Sequence, residues 1–94
     1  MATVYILYSK SIDRFYIGST IDVILRLKQH NDPEFKLSFT QRAPDWVLFY
    51  TIENLAYHQA RSIEKHIKAM KSKQYILNLT KYPEITGKLI EKFE

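Results

Sequence analysis

The sequence predicts an α+β domain with a small, mostly antiparallel three-stranded sheet flanked by helices, in the order β-β-α-β-α-α. Three observations carry this. Residues 3–8 and 15–19 are short runs rich in aromatic and β-branched side chains, joined by a short polar stretch, which is a hairpin pattern. A third apolar run follows at residues 46–52. Helical periodicity occupies the intervals, most regularly at Ala56, Ala60, Ile63, Ile67 and Met70.

Each element has a local reason. The connection from Ser9 to Arg14 has no glycine, so a loop longer than a tight two-residue turn is expected. Gly18 ends the second strand, where the backbone needs close approach or positive φ. Residues 22–31 read as a helix capped by Asp22 or Thr20. Val23, Ile24 and Leu27 share its apolar stripe, Arg26 and His30 lie side by side on the rim, and Leu25 falls outside. Residues 31–45 contain Pro33 and Pro44 and read as a loop. Residues 46–52 read as a strand buried on at least one face. Asn54 is a candidate cap for a helix over 55–71, which has Glu64 on its rim beside Tyr57 and Lys68. Residues 75–79 are a short apolar run containing Asn78. Pro83 opens a last helix over 83–93, with Ile85, Leu89 and Phe93 at one-turn spacing.

The chain of 94 residues is expected to be a single domain spanning 1–94, since there is no room for a second core. The absence of cysteine excludes disulfides, thiolate metal sites and a cysteine nucleophile together. No signal-peptide pattern and no apolar run of membrane-spanning length is present, so a soluble, cytoplasmic protein without a membrane partner is expected. The formal charge is +4, and its placement says more than its size. Arg61, Lys65, Lys68, Lys71 and Lys73 crowd one segment around a single acid, Glu64. Such a face suits a polyanion such as nucleic acid; the competing reading is a solvated helix face.

Several side chains have the chemistry to act on a phosphodiester. Tyr5 and Tyr16 are either packing aromatics or phenols of a site. A phenol titrates near pH ~10, so service as a base needs positive charge or a metal-bound water nearby. Arg26 and His30, four apart on a helix, point to one side and could direct donors at a phosphate, or lie on a solvated edge. Glu64 either pairs with Lys68 one turn on or offers the single carboxylate that Mg²⁺ needs beside substrate phosphate. No His/Asp cluster supports a zinc site. There is no phosphate-binding glycine loop, nucleophile elbow or dinucleotide fingerprint, and no small-molecule cofactor is expected.

Together these features resemble the GIY-YIG nuclease superfamily, in particular its small stand-alone single-domain members. Thr3-Val4-Tyr5 stands for the first motif element and Tyr16-Ile17-Gly18 for the second. Arg26 follows ten residues after Tyr16, and His30 four later. Residues 60–68, with Glu64, look like the metal-glutamate helix, and Asn78 like the asparagine that closes the motif set. The likeness covers about residues 2–80. It departs at the first element, where Gly-Ile has become Thr-Val; strand character and the tyrosine are kept.

The resemblance implies an endonuclease that hydrolyses nucleic-acid phosphodiesters, most naturally DNA, with one Mg²⁺ or Mn²⁺ ion. Repair or processing of structured DNA is the setting it suggests. Tyr5 would take a proton from the attacking water, directly or through a metal-bound water, and Tyr16 would position phosphate or water. Arg26 would stabilise the phosphorane-like transition state, and His30 would assist as donor or proton shuttle. Glu64 would hold the metal and Asn78 would support the site. Arg61, Lys65, Lys68, Lys71 and Lys73 would contact the substrate backbone without reading sequence. The alternatives are a nucleic-acid-binding module that keeps the fold but does not cut alone, and an interaction domain in which the tyrosines only pack.

Overall fold

Strand β1 (Ala2–Ser9) is the central strand of an antiparallel sheet ordered β2-β1-β3, with β2 (Arg14–Thr20) and β3 (Trp46–Leu55) on its two sides. The computed structural model describes residues 1–32 and 43–94. Helix α1 (Val23–Asn31) follows β2, and α2 (Tyr57–Met70), α3 (Lys73–Lys81) and α4 (Pro83–Lys92) follow β3. The order is therefore β-β-α-β-α-α-α, one helix more than the sequence pattern suggested. The apolar run at 75–79 lies within α3, where Ile76 and Leu79 are buried and Leu77 is exposed, and the helix ends are Lys73-Gln74 and Thr80-Lys81. A run that short cannot be told from a strand by periodicity alone.

The sheet is covered on both faces, which explains why β1 is apolar almost throughout. Alternation sends Ala2, Val4 and Ile6 into a core with Ile52 and Leu55 of β3, Ala60, Ile63 and Ile67 of α2, Ile76 and Leu79 of α3 and Leu89 of α4. Tyr5 and Leu7 point the other way, to Ala43, Trp46, Tyr16 and the α1 residues Val23 and Leu27. Trp46 is 2 % exposed, and its backbone N–H and C=O both bond the Asn31 side chain at 2.8 Å, which ties the end of α1 to the start of β3.

The hairpin loop has four residues, Lys10 to Asp13, with Asp13 at φ 50°. Two clamps fix it. Asp45 accepts from the Ser9 hydroxyl and from the Ser11 N–H and hydroxyl, contacts that hold its carboxyl below the usual range. Asp13 accepts from Tyr8 at 2.7 Å and from Lys73 at 2.8 Å, which joins the loop to the start of α3.

Several local expectations change. Asp22 is the cap of α1, accepting from the Leu25 N–H at 3.0 Å. Asn54 does not cap α2. It lies within β3 at φ 60°, and the N-cap is Ala56, whose N–H donates to the Gln59 side chain. Ile24 leaves the predicted stripe, at 72 % exposed, while His30 leaves the rim and is buried at 3 %. Ala56 and Met70, at the two ends of the predicted α2 stripe, are exposed. His66 is half-buried with its ring against Tyr75 and Phe93. The predicted loop at 31–45 falls largely on residues outside those described; Asn31 itself is the last residue of α1.

Candidate active site

The candidate residues gather around edge strand β2. Tyr5 and Gly18 are paired across β1 and β2, and the phenol of Tyr5 lies over the glycine. A methyl at Gly18 would stand 2.5 Å from the Tyr5 hydroxyl oxygen, so the close approach anticipated from the sequence is a side chain crossing a bare backbone. No positive φ is involved.

The Tyr5 hydroxyl shares a hydrogen bond of 2.9 Å with His30 Nε2. The Tyr16 ring packs on both, with centroids 6.3 Å from Tyr5 and 4.7 Å from His30. Val23, Arg26, Leu27 and His30 recur at three- and four-residue spacing, so the α1 face turned to the sheet carries an arginine and a histidine within an apolar stripe. Arg26 Nη1 donates to the Gln29 side chain at 3.0 Å, which holds the guanidinium from its own helix.

Burial dominates the electrostatics of this half of the site. It pushes the Tyr5 phenol up to about 12, with Tyr16 adding to the rise and Arg26 opposing it. Burial, followed by the Arg26 charge, pulls His30 down to about 4. At neutral pH the pair is therefore a phenol and a neutral imidazole.

Glu64 approaches from the other face of the sheet. Strand alternation puts Ser19 on the same side of β2 as Phe15 and Ile17, which pack into the α2 core. The Ser19 hydroxyl donates to Glu64 Oε1 at 2.6 Å. Lys68, one turn along α2, donates to Glu64 Oε2 at 2.6 Å, and its ammonium stands 5.8 Å from the centre of the Tyr16 ring. Lys68 thus reaches around the edge strand from the carboxylate to the tyrosine. Glu64 adds the least of the influences on the Tyr5 phenol, a slight further rise.

Among the described residues there is no group of three or more His, Cys, Asp and Glu that could cage an ion. Glu64 already accepts a cation at Oε2 and has a hydroxyl oxygen at Oε1. One carboxylate with adjacent oxygen fits a hard ion that keeps most of its waters and takes the rest of its shell from phosphate.

Asn78 is not drawn into this set. Its amide oxygen accepts from Gln74 within α3. Of the predicted nucleic-acid contacts, Arg61, Lys65 and Lys68 line an open groove of ≈ 340 Å³ beside Glu64. Lys71 ends α2 in a left-handed conformation, and Lys73 is engaged by Asp13. Sequence reasoning missed Ser19 and Gln29, the residues that hold Glu64 and Arg26. For Ser19 the signal was available, because it stands two residues from Ile17 and so shares its face.

The GIY-YIG catalytic domain model matches residues 1–77. The chain belongs to the GIY-YIG family. Membership gives this α+β site a nuclease-type function acting on nucleic acid, and nucleases of the family are generally metal-dependent. No curated protein and no solved structure matches the chain significantly. No helix among the described residues is long and apolar enough to cross a membrane.

Proposed function

We propose that this GIY-YIG protein is a divalent-metal-dependent endonuclease that hydrolyses phosphodiester bonds in DNA. The observation that carries the reading is the meeting of Tyr5, Tyr16, Arg26 and His30 from one face of the sheet with Glu64 from the other, at the edge strand β2. A core has no need of Arg26 or Glu64; a phosphate needs both a donor fork and a means of offsetting its charge.

Arg26 binds the non-bridging oxygens and stabilises the charge that gathers on them in the transition state. Of the two tyrosines Tyr16 is partly exposed, whereas Tyr5 is 1 % exposed and bonded to His30. The proton-accepting role first expected of Tyr5 is therefore assigned to Tyr16. Tyr5 and His30 act as a neutral, hydrogen-bonded wall that orients it. The water oxygen bonds to phosphorus as its proton passes to the Tyr16 oxygen and the tyrosine's own proton passes to solvent; the P–O ester bond breaks and the leaving oxygen takes a proton from solvent water. Glu64, steadied by Ser19, holds Mg²⁺ or Mn²⁺, which supplies Lewis-acid polarisation of the phosphate when bound. Arg61 and Lys65 contact the backbone.

The test is a cleavage screen with Mg²⁺ and Mn²⁺ over duplex, flap, junction and single-stranded DNA. Metal-dependent cutting lost in both Glu64→Ala and Arg26→Ala is expected; intact cutting in both variants removes the assigned roles. One observation favours a second reading, a nucleic-acid-binding module without cleavage. Lys68 already neutralises Glu64 at 2.6 Å. Binding that falls steeply with salt, with no product from any substrate, would decide for it.

A further inference from the structure

Next to the catalytic cluster runs a second groove, ≈ 480 Å³, between the turn that follows β2 and the start of α2. One end is made by Ser19 and Arg26, which belong to the site; the other is made by Ile21, Leu25 and Tyr57, with Asp22 in the wall. Those three apolar side chains are well exposed, Tyr57 at 63 %. None of them is used by the core or by the proposed chemistry.

We propose that this groove is a subsite for one unpaired nucleobase, stacked on Tyr57 beside the phosphate held at Arg26. The inference rests on the nuclease reading and names its substrate class: a strand with an accessible, unpaired base.

Four features argue for a base rather than a second phosphate. The groove is of small-molecule size, within the ~300–1,000 Å³ usual for ligand sites. Its far end is apolar and aromatic, which suits a flat π-face. Asp22 repels a phosphate there, yet its carboxylate is an acceptor for a base amino group. The Arg61 guanidinium stands 5.9 Å from the Tyr57 ring centre, so the stacking platform is backed by a cation.

Spacing gives the register. Tyr57, Arg61, Glu64 and Lys68 follow one another at four, three and four residues along one face of α2. Seven residues of helix rise about 10 Å, against about 3.4 Å per nucleotide along a stacked strand. A base about three nucleotides from a phosphate beside Glu64 therefore reaches Tyr57. In duplex DNA that base is paired and stacked on its neighbours, so Tyr57 gains nothing from it.

Equilibrium binding without metal tests this, by fluorescence anisotropy on a labelled oligodeoxycytidine strand, whose bases carry an amino group, and on a duplex of equal length. Loss of one stacked base corresponds to roughly 5- to 150-fold in affinity. Tyr57→Ala should weaken single-strand binding within that range, Tyr57→Phe should restore it, and duplex binding should stay unchanged. Unaltered single-strand binding in Tyr57→Ala overturns the proposal. So does equal weakening on both ligands, or a dimer seen by sedimentation that dissolves in Tyr57→Ala, which would make the patch a self-association face. A cleavage arm separates the two readings. Glu64-dependent cutting with Tyr57-independent binding leaves the nuclease and removes the subsite. Tyr57-dependent binding without cutting leaves the subsite and removes the nuclease.

Discussion

The Tyr5 hydroxyl and His30 Nε2 meet at 2.9 Å in the buried layer between the sheet and α1, and the protein holds both groups neutral across the physiological range. One hydrogen bond thus joins the central strand to the helix that carries Arg26. The position of the guanidinium depends on a contact that looks like packing.

Stability should fall as the pH drops from about 6.5 toward about 4 because of His30 alone. Its folded pKa is depressed, so in that window the unfolded chain binds the extra proton and unfolding is favoured; above the window the full stability is present. The shift corresponds to about 3 kcal/mol once both forms are protonated. Asp13 and Asp45, held below the usual carboxylate value, weaken the fold only at lower pH. Tyr5 acts at the other extreme: stability is full below pH 10 and declines as the pH rises toward 12. Urea denaturation from pH 4 to 8 on the protein and on His30→Asn measures the acid limb, which the variant should flatten.

Tyr5→Phe keeps the ring and removes the hydroxyl. Loss of this buried hydrogen bond costs about 1–3 kcal/mol, so the unfolding free energy from urea denaturation should fall by that amount, the midpoint shifting by it divided by an unchanged m-value. A variant as stable as the parent would mean that His30 is satisfied without Tyr5.

Gly18→Ala forces a methyl to 2.5 Å from the Tyr5 oxygen and 2.6 Å from its Cζ. The phenol cannot simply swing away, because it is buried and bonded to His30. Overpacking of this kind costs about 1–3 kcal/mol. The variant should melt earlier, and its Tyr5 and His30 NMR signals should shift. If both are unchanged, the ring has room that the close approach denies.

The three strands and helices α1, α2 and α4 were legible in the sequence for physical reasons, and the misses have physical reasons too. Periods of two and 3.6 separate strands from helices, and they brought Tyr5, Tyr16, Arg26 and Glu64 to notice. They do not say which side of a helix meets which layer. The α1 stripe was read through Val23, Ile24 and Leu27, yet the face that packs carries Val23, Leu27 and His30. The surface opposite is aromatic and polar at once, with Tyr5, Tyr16 and Trp46, and it rewards an imidazole where a purely apolar wall would not. Strand alternation puts Ser19 on the face of Ile17, but only the carboxylate that arrives from another layer gives that position a role.

On the proposed reading, Lys68 would decide how readily the site takes a metal. Its ammonium is 2.6 Å from Glu64 Oε2, the oxygen a divalent ion would also seek, so the two cations compete for one carboxylate. The lysine side chain is 48 % exposed and that of Glu64 20 %, which limits the pair to about 1 kcal/mol or less. Lys68→Met keeps the aliphatic stem beside Tyr16 and removes the charge. Mn²⁺ should then bind about two- to fivefold more tightly, measured by the loss of the free-ion signal in electron paramagnetic resonance, and Glu64→Gln should abolish the gain. Nucleic-acid affinity should move the opposite way, with a shallower salt dependence by about one phosphate contact. Weaker Mn²⁺ binding in Lys68→Met would mean that the lysine orients Glu64 for the ion instead of competing with it.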